Sequence, residues 1–125
     1  MRYGRVMRGE AVWAERVGRA ASLWDRLRGL LGRKALGPGA ALLIERCGSV
    51  HTVGMRFALD LVFLDRAWHV VRVVRDVRPG RLMVWGGWHA ASVLESEAGC
   101  ADLSGLAVGQ VLRWETVSKK EGCDA

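Results

Sequence analysis

The chain is short of the features that most readily betray a function. Its 125 residues hold only three cysteines, Cys47, Cys100 and Cys123. These are too far apart for a disulfide framework or a CxxC zinc knuckle. Three histidines, His51, His69 and His89, fall outside HEXXH, HXXXH and HXH spacing, so no element carries a ready-made metal site and none is expected. Sixteen glycines are scattered without forming GxGxxG or GxxxxGK[ST], which removes the usual phosphate loops, and no cofactor is implied. GxSxG is missing as well, and Ser49, His51 and Asp60 lack the elbow that would make them a triad. A Cys47–His51 pair lacks anything that would depress the thiol pKa or orient the base. No apolar run approaches the roughly 18 residues of a membrane span. The charged N-terminus has no apolar stretch after it, so a cytoplasmic chain is the expectation.

What is present is ordinary for a globular domain: 50% hydrophobic and 26% charged residues, enough for one buried core. The charge is unevenly placed. Residues 1–34 carry nine Lys/Arg against Glu10, Glu15 and Asp25, while the remaining chain carries ten of each sign, so the whole formal +6 lies in the first quarter. Such a face suits nucleic acid or an anionic membrane surface, and equally a solvated arginine-rich surface.

Periodicity outlines the elements. Residues 10–22 read as a first strand, with Val12 and Trp13 packing. Ser22-Leu-Trp-Asp25 has the form of an N-terminal cap, and Leu23, Leu27, Leu30 and Leu31 then make one helical stripe, predicting a short amphipathic helix from about 23 to 32. Beyond Gly37-Pro38-Gly39 the period shortens. AALLIE, ALDLVFLD and WHVVRVVRDV read as strands, the last two joined through Asp65-Arg66-Ala67 as a hairpin. LMVWGGWHA, ASVLES and VGQVLRWETV read as further strands, and EAGCADLSGL as a brief helix. The expected fold class is α+β, mostly β, a small curved sheet or barrel-like domain with one helix near its start. Its span is 10–117, between a flexible N-terminus (1–9) and a flexible tail (118–125).

The most informative stretch is HTVGMRFALDLVFLD at 51–65, where polar residues crowd before a buried strand. Arg56 and Asp60 are four apart and share a face if the chain stays extended. A charge entering a buried strand needs a partner. Arg56 and Asp60 could pair with each other, with Glu95 or with turn backbone. Alternatively, Arg56 offers its guanidinium to a carboxylate or phosphate ligand, with His51 and Thr52 adding hydrogen bonds. Trp85 and Trp88, flanking Gly86-Gly87, could stack on a ligand or serve as core.

Three stretches together resemble the DUF192 (UPF0127) family: DRLRGLLGRKAL, CGSVHTVGMRFALDLVFLDRAWHVVRV and ASVLESEAGCADLSGLAVGQVL, covering roughly residues 10–116. Departures from its pattern are Leu31 for a common Met, Ala58 for a frequent Pro, Trp68-His69 for a turn Gly, and Gln110 for an acid. The resemblance implies a compact, mostly β domain with an early helix, in a family of uncharacterised function whose relatives often look exported. It transfers no catalytic residue, and it marks His51, Thr52, Met55, Arg56, Asp60 and Glu95 as candidate binding positions.

These observations favour a small non-enzymatic domain with a polar pocket for an anionic ligand or a partner peptide. A hydrolase- or lyase-like enzyme using His51 with Asp60 is one alternative. The other is an adaptor whose basic residues 1–34 meet nucleic acid or membrane.

Overall fold

The computed structural model describes residues 2–20 and 36–117. Nine strands follow one another: β1 (Arg2–Arg8), β2 (Ala11–Ala20), β3 (Ala40–Glu45), β4 (Ser49–Val50), β5 (Leu59–Leu64), β6 (Val70–Val77), β7 (Val84–Trp85), β8 (Ser92–Glu97) and β9 (Arg113–Thr116). Seven of them form one sheet in the order β6-β5-β8-β3-β2-β1-β9, and β4 and β7 form a separate two-stranded sheet. Only β2 and β3 run parallel; every other pairing in the two sheets is antiparallel.

Two expectations about the fold class need correction. Among the described residues there is no helix, so the described fold is all β, and the helix expected at 23–32 lies outside them. The sheet is also mixed and open, not a barrel. Its edge strands β6 and β9 share no ladder. A single bridge, His69↔Val111, joins the start of β6 to the segment ahead of β9. The brief helix expected in EAGCADLSGL is a run of turns closed by Cys100 N–H to Glu97 O and Leu106 N–H to Leu103 O. Gly99 there has φ +83°, a conformation that ends helical winding.

Arg2–Arg8, within the segment 1–9 expected to be a flexible N-terminus, forms strand β1, paired with β2 and β9. In β2, Trp13 is buried but Val12 is exposed, because burial runs in pairs and not in strict alternation. The ladder to β1 is irregular between Gly4 and Met7, and an added residue in a strand shifts which side chains face inward.

The central strands are apolar on both faces because both faces are covered. In β3, Leu43 faces one cluster with Val17, Val62, Leu64 and Leu94, while Leu42 and Ile44 face another with Leu59, Leu61, Phe63 and Val93. The turns at 101–112 cover the first cluster with Leu103 and Leu112, and Trp13 Nε1–H is tied to Asp102 O at 2.9 Å. The small β4/β7 sheet covers the second with Val50 and Val84. A Cβ on Gly86, just past β7, would overlap the Phe63 ring, so glycine is what lets this cover seat.

Candidate functional site

The structure separates the residues grouped by sequence. Thr52 is fully buried and works for the backbone: its Oγ1–H donates to Arg78 O at 2.7 Å and its Oγ1 accepts Arg81 N–H at 2.9 Å. Thr52 N–H also meets Arg81 O, and Gly80 N–H meets Thr52 O, both at 2.9 Å. Met55 is a core residue beside Leu59 and Val84. Arg56 is exposed on the turn that follows.

Asp60 is buried on β5, and among the described residues no ion pair joins it to Arg56. Its Oδ1 accepts Asp76 N–H at 2.9 Å and its Oδ2 accepts Gly99 N–H at 3.0 Å. Each oxygen therefore accepts one backbone N–H, one from β6 and one from the turn after β8. Glu95 is wholly buried on β8, opposite Leu42 on one side and Leu61 on the other. His51 is half-buried beside β4. Arg26, Arg28 and Arg33, the core of the basic-adaptor alternative, lie outside the described residues.

A different constellation forms where strand topology brings distant turns together. Ser92, at the start of β8, pairs with Glu45 at the end of β3 and with Leu64 at the end of β5. The residues just beyond those two strand ends, Arg46 and Arg66, consequently flank the same entering segment. Together with Cys47, Gly48, Asp65, Ala67 and residues 88–91 they line a cleft of about 920 Å³. An adjoining hollow of about 410 Å³ shares Arg46, Asp65, Arg66 and Ala91 and extends to Arg19, Glu45 and Trp68. The walls are pinned by backbone bonds: Cys47 N–H to Ala91 O at 2.9 Å, Gly86 N–H to Gly48 O at 2.9 Å, and Ala91 N–H to Leu64 O at 2.7 Å.

The cleft's acids are already committed. Asp65 Oδ1 accepts the backbone N–H of Ala67 at 2.9 Å and of His69 at 2.8 Å, and Oδ2 lies 3.2 Å from His69 Nδ1. These bonds, that of the His69 backbone foremost, hold the Asp65 carboxyl below its ordinary pKa. Glu45 is paired with Arg19 at 2.6 Å. Arg46 and Arg66 are exposed, and neither is hydrogen-bonded or ion-paired to a described residue. Arg46 holds φ +53°, an uncommon conformation for a residue with a long side chain.

Cys47 Sγ–H donates to Ser49 O at 2.8 Å. At Cys100, burial and then the neighbouring Glu97 charge push the thiol pKa up, away from nucleophilic character. Among the described residues no three His, Cys, Asp or Glu side chains group so as to hold a metal ion. Trp85 and Trp88 are both exposed, their rings 5.1 Å apart and edge-to-face, which places them outside the core. The sequence concealed Arg46 and Arg66 because each looks like an ordinary turn residue. The only signal was that both follow the last apolar residues of buried strands.

Solved structures share this architecture. A protein from Sinorhizobium meliloti 1021, provisionally described as a transcription regulator, is similar with a TM-score of 0.74 and 19% identity, over 90% of this chain and 92% of that one. A protein of unknown function from Novosphingobium aromaticivorans DSM 12444 is similar with a TM-score of 0.75 and 19% identity, over 90% and 84%. At that identity the likeness concerns the fold. Among curated proteins none matches. The DUF192 family model, described as an uncharacterized ACR, matches residues 6–114. With the match spanning seven of the nine strands whole and parts of the first and last, the chain belongs to the DUF192 family.

Proposed function

We propose that the domain binds a small anionic ligand, a carboxylate or phosphate, in the cleft between Arg46 and Arg66. The observation that carries this is electrostatic. Two exposed guanidiniums face one cleft, and the acids beside them, Asp65 and Glu45, are bonded to other groups. A guanidinium is always charged and presents a planar fork of donors that matches carboxylate and phosphate oxygens. The volume falls within the roughly 300–1,000 Å³ of ordinary ligand sites. Trp88 at the rim supplies an aromatic face for the rest of a ligand, and a peptide ending in a carboxylate would use the same two arginines.

The test is thermal shift against inorganic phosphate, pyrophosphate and short dicarboxylates. Wild type and Arg56→Ala should both gain stability with at least one of these anions. Arg46→Asn/Arg66→Ala should gain none; asparagine tolerates the left-handed backbone at 46. Retention of the shift in that double variant, or its loss in Arg56→Ala alone, would move the site back to the 51–60 cluster.

A further inference from the structure

The β4/β7 sheet and its loops carry a second feature, which adjoins the cleft at Trp88. Leu82 is 85% exposed, Met83 63% and Trp88 90%, with Val53 and Trp85 exposed beside them. They belong to one small platform. Ser49 pairs with Trp85 and Val50 with Val84, so Val50 and Val84 point into the core while Trp85 points away from it. The loop bearing Val53 is bonded through Thr52 to Arg78, Gly80 and Arg81, and Trp85 and Trp88 touch edge-to-face. Pro79 and Gly80, the latter at φ +92°, turn the chain just ahead of the exposed Leu82 and Met83. Large apolar side chains grouped at such exposure mark an interaction surface.

The charges around this platform identify the partner. Segments 46–58 and 77–94 together contain Arg46, Arg56, Arg78 and Arg81, two histidines, and no aspartate or glutamate. Arg72 reaches in from β6 to bond Trp85 O at 2.8 Å. Exposed apolar side chains on segments whose charges are all cationic, with Asp76 and Asp65 the nearby acids, match an anionic bilayer: tryptophan favours the headgroup level, aliphatic side chains enter the acyl boundary, and arginines meet the phosphates. A protein groove would be served better by recessed apolar side chains with mixed charges at the rim. We propose that this face docks the domain on an anionic lipid surface, with Leu82, Met83 and Trp88 inserted and Arg56, Arg78 and Arg81 on the headgroups.

The experiment is sedimentation of the full chain with phosphatidylcholine vesicles, with and without about one third phosphatidylglycerol. The chain should pellet with the anionic vesicles and not with the neutral ones, and release as salt shortens the Debye length. Leu82→Ser/Met83→Ser should weaken partitioning by on the order of tenfold or more, and Arg78→Ser/Arg81→Ser by about tenfold or more. Unchanged thermal melts will show that these exposed positions leave the fold intact. Both variants keep Arg46 and Arg66, so anion binding in the cleft reads out separately. Absence of pelleting at low salt would overturn the proposal and point to an acidic protein partner. Undiminished pelleting of both variants would overturn it too, by assigning lipid contact to another surface such as residues 1–34.

Discussion

Asp60 on β5 accepts the backbone N–H of Asp76 on β6 at 2.9 Å, at the residue where β6 takes φ +52°. Its other oxygen holds Gly99, at φ +83°, just past β8. One carboxylate thus secures the irregularities of both strands that flank it. An aspartate rather than an asparagine is needed, since both facing groups are donors. Asp60→Asn should cost about 2 kcal/mol and Asp60→Ala roughly 3 kcal/mol, measured by urea unfolding, because each bond to a charged acceptor is worth ~1.5–3 kcal/mol. Equal stability of Asp60→Asn and wild type would show that one of the two bonds is dispensable.

Thr52 makes a comparable link between loops. Thr52→Val is close in shape but removes the donor to Arg78 O and the acceptor for Arg81 N–H. The expected loss is about 1–3 kcal/mol, since both backbone groups lose a partner. Thr52→Ser should recover most of it. Amide exchange at Arg81 should accelerate in the valine variant and stay slow in the serine variant; fast exchange in both would contradict the assignment.

Gly86 tests how the small sheet seats on the large one. A Cβ there would overlap the Phe63 ring and lie 2.8 Å from Ala90 Cβ. Gly86→Ala should therefore lower stability by about 1–3 kcal/mol through overpacking. Phe63→Leu in the same chain should give part of that back, so the two substitutions will be less costly together than their sum. Strict additivity in thermal melts would mean that the two residues do not meet.

How much was legible in the sequence can be argued from these residues. β3 and β5 announce themselves because both their faces are covered, leaving unbroken apolar runs such as AALLI and LVFL. The β5–β6 hairpin is likewise local and readable. β1 is not, since RYGRVMR carries three arginines and no regular apolar alternation, although it pairs with the adjacent β2 as well as with the distant β9. That Asp60 needed a partner followed from its burial. Which partner it takes did not, because Asp76 and Gly99 arrive through a strand irregularity and a turn. Arg46 and Arg66 escaped for a similar reason: only the pairing of both β3 and β5 with β8 puts their ends side by side.

Glu97 supplies the pH-dependent contact at the other end of β8. Its Oε1 accepts Leu36 N–H at 2.6 Å and Gly37 N–H at 3.0 Å, fastening the chain ahead of β3. The Gly37 bond first and the Leu36 bond second lower its pKa from an ordinary 4.5. A carboxyl depressed on folding adds stability that is fully present above its ordinary value and fades as pH falls through the lowered one. Amide exchange at Leu36 and Gly37 should therefore quicken, relative to intrinsic rates, as pH drops below about 4.5. Glu97→Gln keeps an acceptor oxygen without the titration, so its protection should be weaker at neutral pH and flat through the same window. A wild-type profile as flat as that of the glutamine variant would place the acid sensitivity elsewhere.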